Sequence, residues 1–227
     1  MQIKSISENS LIIYFGQEIN TQTHSKVTAA VALIERNLNE IIIDLIPSYN
    51  SIHITYDINK VLSAGVRQLL RETLQVNTEQ ESTKSNDNII EIPVYYGADV
   101  SLDLSYISQQ TELSEQEVID IHSSKTYNVF AIGFSPGFAY LGNVDERIAL
   151  PRKTTPRTKI AAGSLGIADQ QTAIYPSESP GGWQIIGRTP VSLVDYASES
   201  LTPFTTGDQV RFKPIDRAEF IQLGGVL

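Results

Sequence analysis

The sequence contains no cysteine among its 227 residues. This absence excludes disulfides, zinc-thiolate sites, iron-sulfur clusters and any thiol nucleophile. Long apolar stretches are missing as well, since no segment approaches the roughly 20 apolar residues that a membrane-spanning helix needs. Residues 1–16 also lack a basic region followed by an uninterrupted apolar stretch. We therefore expect a cytoplasmic protein that does not enter a membrane.

Positive charge is scarce, with 17 Lys and Arg against 26 Asp and Glu, for a net charge of -9. Such a chain repels a polyphosphate backbone, so nucleic acid is not an expected partner. The three histidines, His24, His53 and His122, show no metal-ligand spacing, and we expect no metal site. His24 and His53 are interpreted as structural. His122 is predicted at the end of a helix, where a positive charge is favourable.

Residues 1–80 predict a small α+β domain. Short strands and amphipathic helices alternate in the order ββαββα, which is typical of helices covering one face of an antiparallel sheet. The second helix is predicted to bury one face formed by Leu62, Val66, Leu69 and Leu74. Residues 77–88, NTEQESTKSNDN, contain no apolar side chain, so we place a domain boundary there.

Residues 88–227 predict a second domain made mainly of short strands. A strand is expected from Ile89 to Tyr96, and Pro93 within it indicates a sheet edge or a strand end. Between Gly133 and Pro190 lie eight of the 14 glycines and six of the 10 prolines. Short apolar stretches punctuated in this way are typical of a β-barrel or a β-sandwich.

The first segment that could form a binding or catalytic site is GFSPGFAYLG, residues 133–142. Pro136 and Gly137 form a predicted turn flanked by Phe134 and Phe138. Such a turn exposes backbone N–H groups while the aromatic rings exclude water, which suits a small planar ligand or a proline of a partner protein. For this segment alone, a buried hairpin corner is the simpler interpretation.

The second segment is PRKTTPRTK at 151–159, followed by GSLG at 163–166. Residues 147–188 contain six basic and two acidic side chains, a local charge of +4 that leaves -13 for the remainder. Concentrated positive charge indicates a site for a carboxylate or a phosphate, although a solvated barrel rim is the simpler interpretation of any single one of these side chains. The GSLG stretch lacks the Lys-Ser/Thr ending of a nucleotide-binding loop, and no ATP-binding motif is visible in the chain.

The third segment is YPSESPGGW at 175–183, followed by GRTP at 187–190. Trp183 stands beside two glycines that allow a ligand or another backbone to approach its ring. The alternative is that this single tryptophan fills the barrel. Glu178 is a candidate general base, on the condition that its carboxylate is partly desolvated.

Taken together, three stretches resemble the family formed by the B subunits of bacterial 5-oxoprolinase. They are GFSPGFAYLG at 133–142, LPRKTTPRTKIAAGSLGIA at 150–168 and YPSESPGGWQIIGRTP at 175–190. That family also includes a sporulation-kinase inhibitor and the subunit 1 half of allophanate hydrolase and urea carboxylase assemblies. The resemblance extends over nearly the whole chain, including EVIDIHSS at 117–124. Ala139 departs from it, because proline is more frequent there.

The resemblance implies an α+β protein with a small N-terminal α/β sandwich over 1–80 and a C-terminal cyclophilin-like β-barrel over 88–227. It also implies the B subunit of an ATP-dependent complex that opens 5-oxo-L-proline to L-glutamate together with 5-oxoprolinase subunits A and C. The isolated chain is then expected to be inactive, with ATP bound by the complex and not by a motif in this chain. Two alternatives stay open, an inhibitor of histidine kinase autophosphorylation and a carboxyltransferase-type subunit of allophanate or urea metabolism.

By analogy with that family, Arg157 and Arg188 are expected to hold a substrate carboxylate or phosphate. The N–H groups of Gly163 and Ser164 are expected to face a developing oxyanion. We expect one cationic, glycine-lined pocket that another polypeptide completes. The predicted catalytic residues are Arg157, Ser164 and Glu178, and the predicted substrate-binding residues are Phe134, Pro136, Gly137, Phe138, Arg152, Gly163, Trp183 and Arg188.

Overall fold

The computed structural model describes residues 1–75, 89–198 and 200–227. The chain divides into two compact units, Met1–Asp87 and Asn88–Leu227. The domain boundary predicted at 77–88 lies outside the described residues. Within the described ranges, no helix has both the length and the apolar character needed to cross a membrane.

The first unit has the predicted ββαββα order. Its elements are β1 (Gln2–Ser5), β2 (Ser10–Tyr14), α1 (Thr21–Leu38), β3 (Ile42–Ser48), β4 (Ser51–Tyr56) and α2 (Ser63–Gln75). The strands form an antiparallel sheet in the order β1-β2-β4-β3. Alternate residues of a strand point to the same face, so Leu11 and Ile13 of β2 join Val27 and Ile34 of α1 in one core.

The predicted buried face of α2 is partly wrong. Val66, Leu70 and Leu74, spaced four residues apart, are buried. Leu62 precedes the helix and is 76% exposed, while Leu69 is 36% exposed. Adjacent leucines at 69 and 70 satisfy two helical phases equally well, and packing into the core of the first unit selects the one that contains Leu70.

The second unit contains a barrel, which confirms the expected fold class. Its helices and strands are β5 (Ile89–Tyr95), α3 (Leu104–Thr111), α4 (Glu115–Ser123), β6 (Thr126–Ile132), β7 (Ala139–Gly142), β8 (Arg157–Ile160), β9 (Ser164–Ala168), β10 (Gln171–Ile174), β11 (Ser179–Gly181), β12 (Gln184–Arg188), β13 (Gln209–Ile215) and α5 (Arg217–Gln222). Seven strands close in the order β10-β7-β6-β13-β5-β12-β9, and β8 pairs with β11 separately.

The expectation of a sheet edge or strand end at Pro93 is met only in part. Strand β5 runs parallel to β13 along its whole length and also meets β12 in the closed barrel. The pairing with β12 involves Tyr95 and Arg188, so on that side β5 has no ladder partner at Pro93. A proline is tolerated there because no ladder N–H is required.

The barrel wall carries apolar residues on both faces. The main core draws residues from all seven barrel strands, including Leu165 and Ile167 of β9. Ala168 of the same strand instead joins a second cluster with Phe138 and Trp183. Successive side chains of a strand point to opposite faces, so this second cluster lies on the outer wall. We call Phe138, Tyr140, Tyr175 and Trp183 the outer aromatic cluster.

Candidate functional site

A residue outside every sequence motif, Asp103, binds two of the predicted basic side chains. Asp103 immediately precedes α3 and is 2% exposed. Its carboxylate accepts hydrogen bonds from Lys153 Nζ at 2.9 Å and from Arg157 Nη1 and Nη2, both at 2.7 Å. The backbone N–H of Ile185 donates a fourth, at 2.7 Å. We call Asp103, Lys153 and Arg157 the Asp103 ion cluster.

The Asp103 carboxylate is ionised at neutral pH despite its burial. Burial raises the pKa of Asp103, but the hydrogen bonds from Arg157, the Ile185 N–H and Lys153 outweigh it, and the pKa lies below the ordinary value of 3.8. The Asp103 N–H also donates to the Ile185 carbonyl at 2.8 Å. Asp103 therefore attaches the start of α3 to β12, and the guanidinium fork of Arg157 is already occupied by a carboxylate of the protein.

The three predicted segments meet in the outer aromatic cluster. The Phe138 ring lies edge-on to Tyr175 and Trp183, with centroid distances of 5.4 and 5.7 Å. The guanidinium of the exposed Arg152 lies 5.7 Å from the Trp183 ring centroid, within cation-π range. Trp183 is 4% exposed and lies on the outer wall. It therefore does not fill the barrel interior, and it presents little surface to a ligand.

The turn of the first segment presents an aromatic side chain to solvent. Phe134 is 65% exposed and has a φ of 72°. A side chain with a Cβ costs roughly 1 kcal/mol or more in this left-handed region. Gly137, with a φ of 80°, is required because an added Cβ would lie 2.6 Å from the Leu193 carbonyl oxygen. Pro136 is exposed beside it. The chain thus adopts an unfavourable conformation that holds Phe134 outward.

A second location holds Arg188. Arg188 and Gly163 line a cleft of about 410 Å³, whose other wall includes Pro176, Pro190 and Val226. We call this the Arg188 cleft. Neither Arg157 nor Trp183 belongs to its lining. The single pocket expected from the sequence is therefore divided into two places, because Asp103 holds Arg157 elsewhere.

The N–H groups expected to face an oxyanion already have partners. Gly163 N–H donates to the Tyr175 carbonyl at 2.7 Å, and Ser164 N–H donates to the Ala161 carbonyl at 3.2 Å. Gly163 has a φ of 79°, and an added Cβ would lie 2.5 Å from the Thr189 carbonyl oxygen. The Ser164 side chain is buried, at 1% exposure. In this geometry the N–H groups of both residues donate to backbone carbonyls, and neither N–H is free to bind a ligand.

Glu178 does not meet the condition attached to a general base. Its side chain is 54% exposed and pairs with Lys159 at 2.8 Å. His122 also differs from expectation, because it is fully buried and burial lowers its pKa to about 3. A neutral imidazole gives no charge to the end of α4. It instead contacts Thr172 Oγ1 at 3.0 Å and stacks on Phe212 at 4.9 Å.

Two of the six basic side chains between residues 147 and 188 remain without a carboxylate partner. Arg147 pairs with Asp145, Lys159 pairs with Glu178, and Lys153 and Arg157 share Asp103. Among the residues that the structure describes, Arg152 and Arg188 form no ion pair. No group of three or more metal-ligating side chains occurs within the same residues. The capacity to bind an anion therefore resides in Arg152 and Arg188.

Comparison with known sequences places the chain beside one named group of proteins. A family described as "Carboxyltransferase domain, subdomain C and D" matches residues 1–204. A protein named as the B subunit of 5-oxoprolinase from Bacillus subtilis (strain 168) is 39% identical over 228 residues, which are 96% of this chain and 95% of the relative. A protein of the same name from Haemophilus influenzae is 32% identical over 212 residues, covering 93% and 97%.

Solved structures share the fold. A conserved uncharacterized protein from Pyrococcus horikoshii is 40% identical, and the match covers 96% of this chain and 100% of that one, with a TM-score of 0.58. The urea carboxylase of Kluyveromyces lactis is 19% identical, and 97% of this chain matches 22% of that much longer protein, with a TM-score of 0.74. At this identity the second likeness concerns the fold alone.

Proposed function

Since this chain belongs to the carboxyltransferase subdomain C and D family, we propose that it is the B subunit of an ATP-dependent 5-oxoprolinase in the cytoplasm. The observation that carries the proposal is the near full-length match, at 39% identity, to a protein named as the B subunit of 5-oxoprolinase. In the proposed reaction, the complex opens 5-oxo-L-proline to L-glutamate. This chain acts with subunits A and C and has no activity alone.

The chemistry explains why several subunits are needed. A lactam is a poor electrophile, and phosphorylation of its oxygen makes attack by water feasible. The negative charge that develops must then be stabilised by fixed donors. This chain carries no nucleotide-binding motif in its sequence, so ATP binding is assigned to a partner. The contribution of this chain is to hold anionic groups and to shape the site.

Arg188 and Arg152 are the proposed anion-binding residues. Both lack an acidic partner among the described residues, whereas Arg157 is engaged by Asp103 at 2.7 Å. Arg157 is accordingly proposed as a positioning residue that fixes β8 relative to α3. Arg152 lies against the Trp183 ring, which packs edge-on to Phe138 in the outer aromatic cluster. The oxyanion role of Gly163 and Ser164 and the base role of Glu178 find no support in their geometry.

The exposed Phe134 supports an interface with a partner subunit. The left-handed backbone that holds this ring at 65% exposure is strained, and such strain is often kept at sites that bind a partner. Phe134→Ala is expected to raise the dissociation constant for a partner subunit at least about fivefold. A histidine kinase is the alternative occupant, so the same titration is run with a kinase dimerisation domain. If the kinase domain binds this chain and neither partner subunit does, the result would favour the inhibitor function.

The decisive experiment is reconstitution. ATP-dependent release of glutamate from 5-oxo-L-proline is measured with this chain alone, with each candidate partner and with both. We expect turnover only in the full mixture. Turnover by the isolated chain, or none in the full mixture, contradicts the proposal.

A matched pair of variants tests the role of the cationic site in that mixture. Arg188→Gln is expected to lower kcat/KM at least about tenfold, the lower range for a charge-assisted contact. Arg147→Gln removes an arginine that pairs with Asp145 away from the cleft, and it is expected to leave kcat/KM within about twofold. Equal effects of the two variants would show that net charge, and not the position of Arg188, is what matters.

A further inference from the structure

We propose that the Arg188 cleft binds a small carboxylate, and that the segment Gly224–Leu227 occupies it when no ligand is bound. The ligand oxygens would replace the Val226 carbonyl on the Arg188 guanidinium. The cleft and its occupant are defined by contacts within the second unit, whichever reaction the chain serves. Where the ligand is 5-oxo-L-proline, the inference rests on the proposed function as well.

Arg188 has hydrogen-bonding capacity that the protein does not use. Its Nη1 donates to the Val226 carbonyl at 2.9 Å. Its Nε is buried and has no hydrogen-bond partner in the described part of the chain. The Val226 carbonyl therefore accepts from only one N–H of the Arg188 guanidinium. A guanidinium can donate two parallel hydrogen bonds to the two oxygens of a carboxylate. Burial also lowers the pKa of Arg188, and the negative charge of Asp99 opposes this effect only in part.

The segment is directed into the cleft by the end of α5. Gly224 has a φ of 89° and its N–H donates to the Ile221 carbonyl at 3.0 Å, while Gly225 N–H donates to the Phe220 carbonyl at 2.8 Å. This pair of bonds is the Schellman arrangement that reverses the chain after a helix. An added Cβ at Gly225 would overlap the Phe220 ring. The two glycines therefore bring Val226 to Arg188.

The segment is nevertheless held weakly. Val226 is 76% exposed and Leu227 is 45% exposed, so little apolar surface is buried by its placement. Among the described residues, the hydrogen bond from Arg188 to the Val226 carbonyl is the polar contact that attaches it to β12. A neutral carbonyl is a weaker acceptor for a guanidinium than a carboxylate. A carboxylate ligand can therefore displace the segment.

The charges around the cleft favour a monoanion over phosphate. Arg188 is the one cation in the lining. Asp99 lies close enough to influence the pKa of Arg188, and it is only weakly engaged by Arg217 at 3.4 Å. Phosphate carries nearly two charges at neutral pH and requires more donors. Pro176 and Pro190 in the walls instead suit a small ring attached to the carboxylate.

The test measures binding to the isolated full-length chain by titration calorimetry. The probes are 5-oxo-L-proline, cyclopentanecarboxylate, pyrrolidin-2-one and inorganic phosphate. We expect the two carboxylates to bind at least about tenfold more tightly than pyrrolidin-2-one, which has the ring without the charge. Arg188→Gln is expected to abolish this difference, and the control variant Arg147→Gln to preserve it.

A second variant tests the occupant independently of Arg188. Removal of residues 224–227 is expected to tighten carboxylate binding about threefold or more, because the competing hydrogen bond is lost. NMR of the full chain is expected to show the Arg188 Nε–H resonance and the Val226 amide shifting together during titration. Both observations distinguish a displaced segment from a merely structural arginine.

The outcomes separate this inference from the proposed function. Binding of cyclopentanecarboxylate that depends on Arg188, without binding of 5-oxo-L-proline, supports the cleft and counts against the 5-oxoprolinase assignment of this site. Absence of carboxylate binding in both the full and the shortened chain overturns the inference. Tighter binding of phosphate than of either carboxylate, or unchanged affinity after removal of residues 224–227, overturns it as well.

Discussion

The Asp103 ion cluster and the Arg188 cleft contain arginines that look alike in the sequence and differ in the fold. The sequence predicts that Arg157 and Arg188 both hold an anion. In the structure Arg157 already holds one, the Asp103 carboxylate at 2.7 Å, whereas Arg188 contacts a neutral carbonyl at 2.9 Å. The difference teaches that the role of a guanidinium depends on whether the fold supplies it with a carboxylate.

The two regions also differ in what they contribute to stability. The Asp103 carboxylate accepts four hydrogen bonds that connect α3, the Lys153 loop, β8 and β12. Removing one partner of such a buried set leaves uncompensated charges behind. The Arg188 contact joins β12 to an exposed segment, and little depends on it. The first region is therefore structural, and the second is the one that we propose for binding.

The largest expected effect is that of Asp103→Ala. The substitution leaves Lys153 and Arg157 half-buried without their carboxylate and leaves the Ile185 N–H without an acceptor. We expect a loss of about 3 kcal/mol in the free energy of unfolding, measured with urea. As the control, Glu178→Ala breaks an exposed pair and is expected to cost less than about 1 kcal/mol. A small effect of Asp103→Ala would return Arg157 to the candidate ligands.

Acid is expected to act first on the barrel core and only later on the Asp103 ion cluster. The pKa of His122 is about 3 in the fold against 6.5 for an ordinary histidine. The contribution of this depressed pKa to the free energy of unfolding is complete above about pH 6.5, and it is lost as the pH falls toward 3. The depressed pKa of Asp103 makes the free energy of unfolding depend on pH only below about 3.8. Asp103 therefore contributes nothing to a loss of stability between pH 7 and pH 5.

Between pH 7 and pH 5, His122 is expected to cost about 2 kcal/mol of the free energy of unfolding. His122→Gln retains a polar side chain without a titrating ring and is expected to remove most of that loss. Urea titrations of both proteins at the two pH values measure it. The same loss in both proteins would assign the acid sensitivity to another group.

Arg157→Gln is expected to have an intermediate effect. The glutamine loses the two hydrogen bonds to Asp103, but Lys153 and the Ile185 N–H still compensate the carboxylate. We expect a decrease of about 1–2 kcal/mol in the free energy of unfolding. Combining it with Asp103→Ala in a double-mutant cycle is expected to show strong non-additivity, because both substitutions remove the same contacts. Additive effects would contradict the described geometry.

The smallest expected effect is that of Arg188→Gln on stability. It removes one hydrogen bond to an exposed segment and one unsatisfied Nε, and these changes oppose each other. The free energy of unfolding is expected to change by less than about 0.5 kcal/mol. A loss as large as that of Arg157→Gln would remove the distinction between the two regions.

The parts of the fold that rest on local patterns could be predicted from the sequence. The ββαββα order of the first unit follows from periodicity and turn residues. For the second unit these patterns left a barrel or a sandwich open, and the family resemblance implied the barrel, which is confirmed. The phase of α2 is predicted wrongly in part, because adjacent leucines fit two helical faces and only packing into the core of the first unit selects one. The prediction of an edge at Pro93 is met only in part, because β5 belongs to a closed barrel but pairs with β12 at Tyr95 alone.

The candidate site was predictable only in part. The three motif segments meet at Phe138, Arg152 and Trp183, as expected if they contribute to one site. Asp103 has no motif around it, and no local signal indicates that a lone acidic residue before a short helix neutralises two distant basic ones. The partner of the Gly163 N–H, the Tyr175 carbonyl 12 residues away, was also hidden, because backbone hydrogen bonds between distant residues depend on the fold.

The amino-acid sequence by itself determined the family, the order of elements and the concentration of positive charge between residues 147 and 188. These properties are local or additive, so they can be counted along the chain. The tertiary structure alone decided which positive charges are free. Asp103 lies 50 residues from Lys153, 54 from Arg157 and 82 from Ile185, and only folding brings a carboxylate across such separations to neutralise one arginine and leave another available.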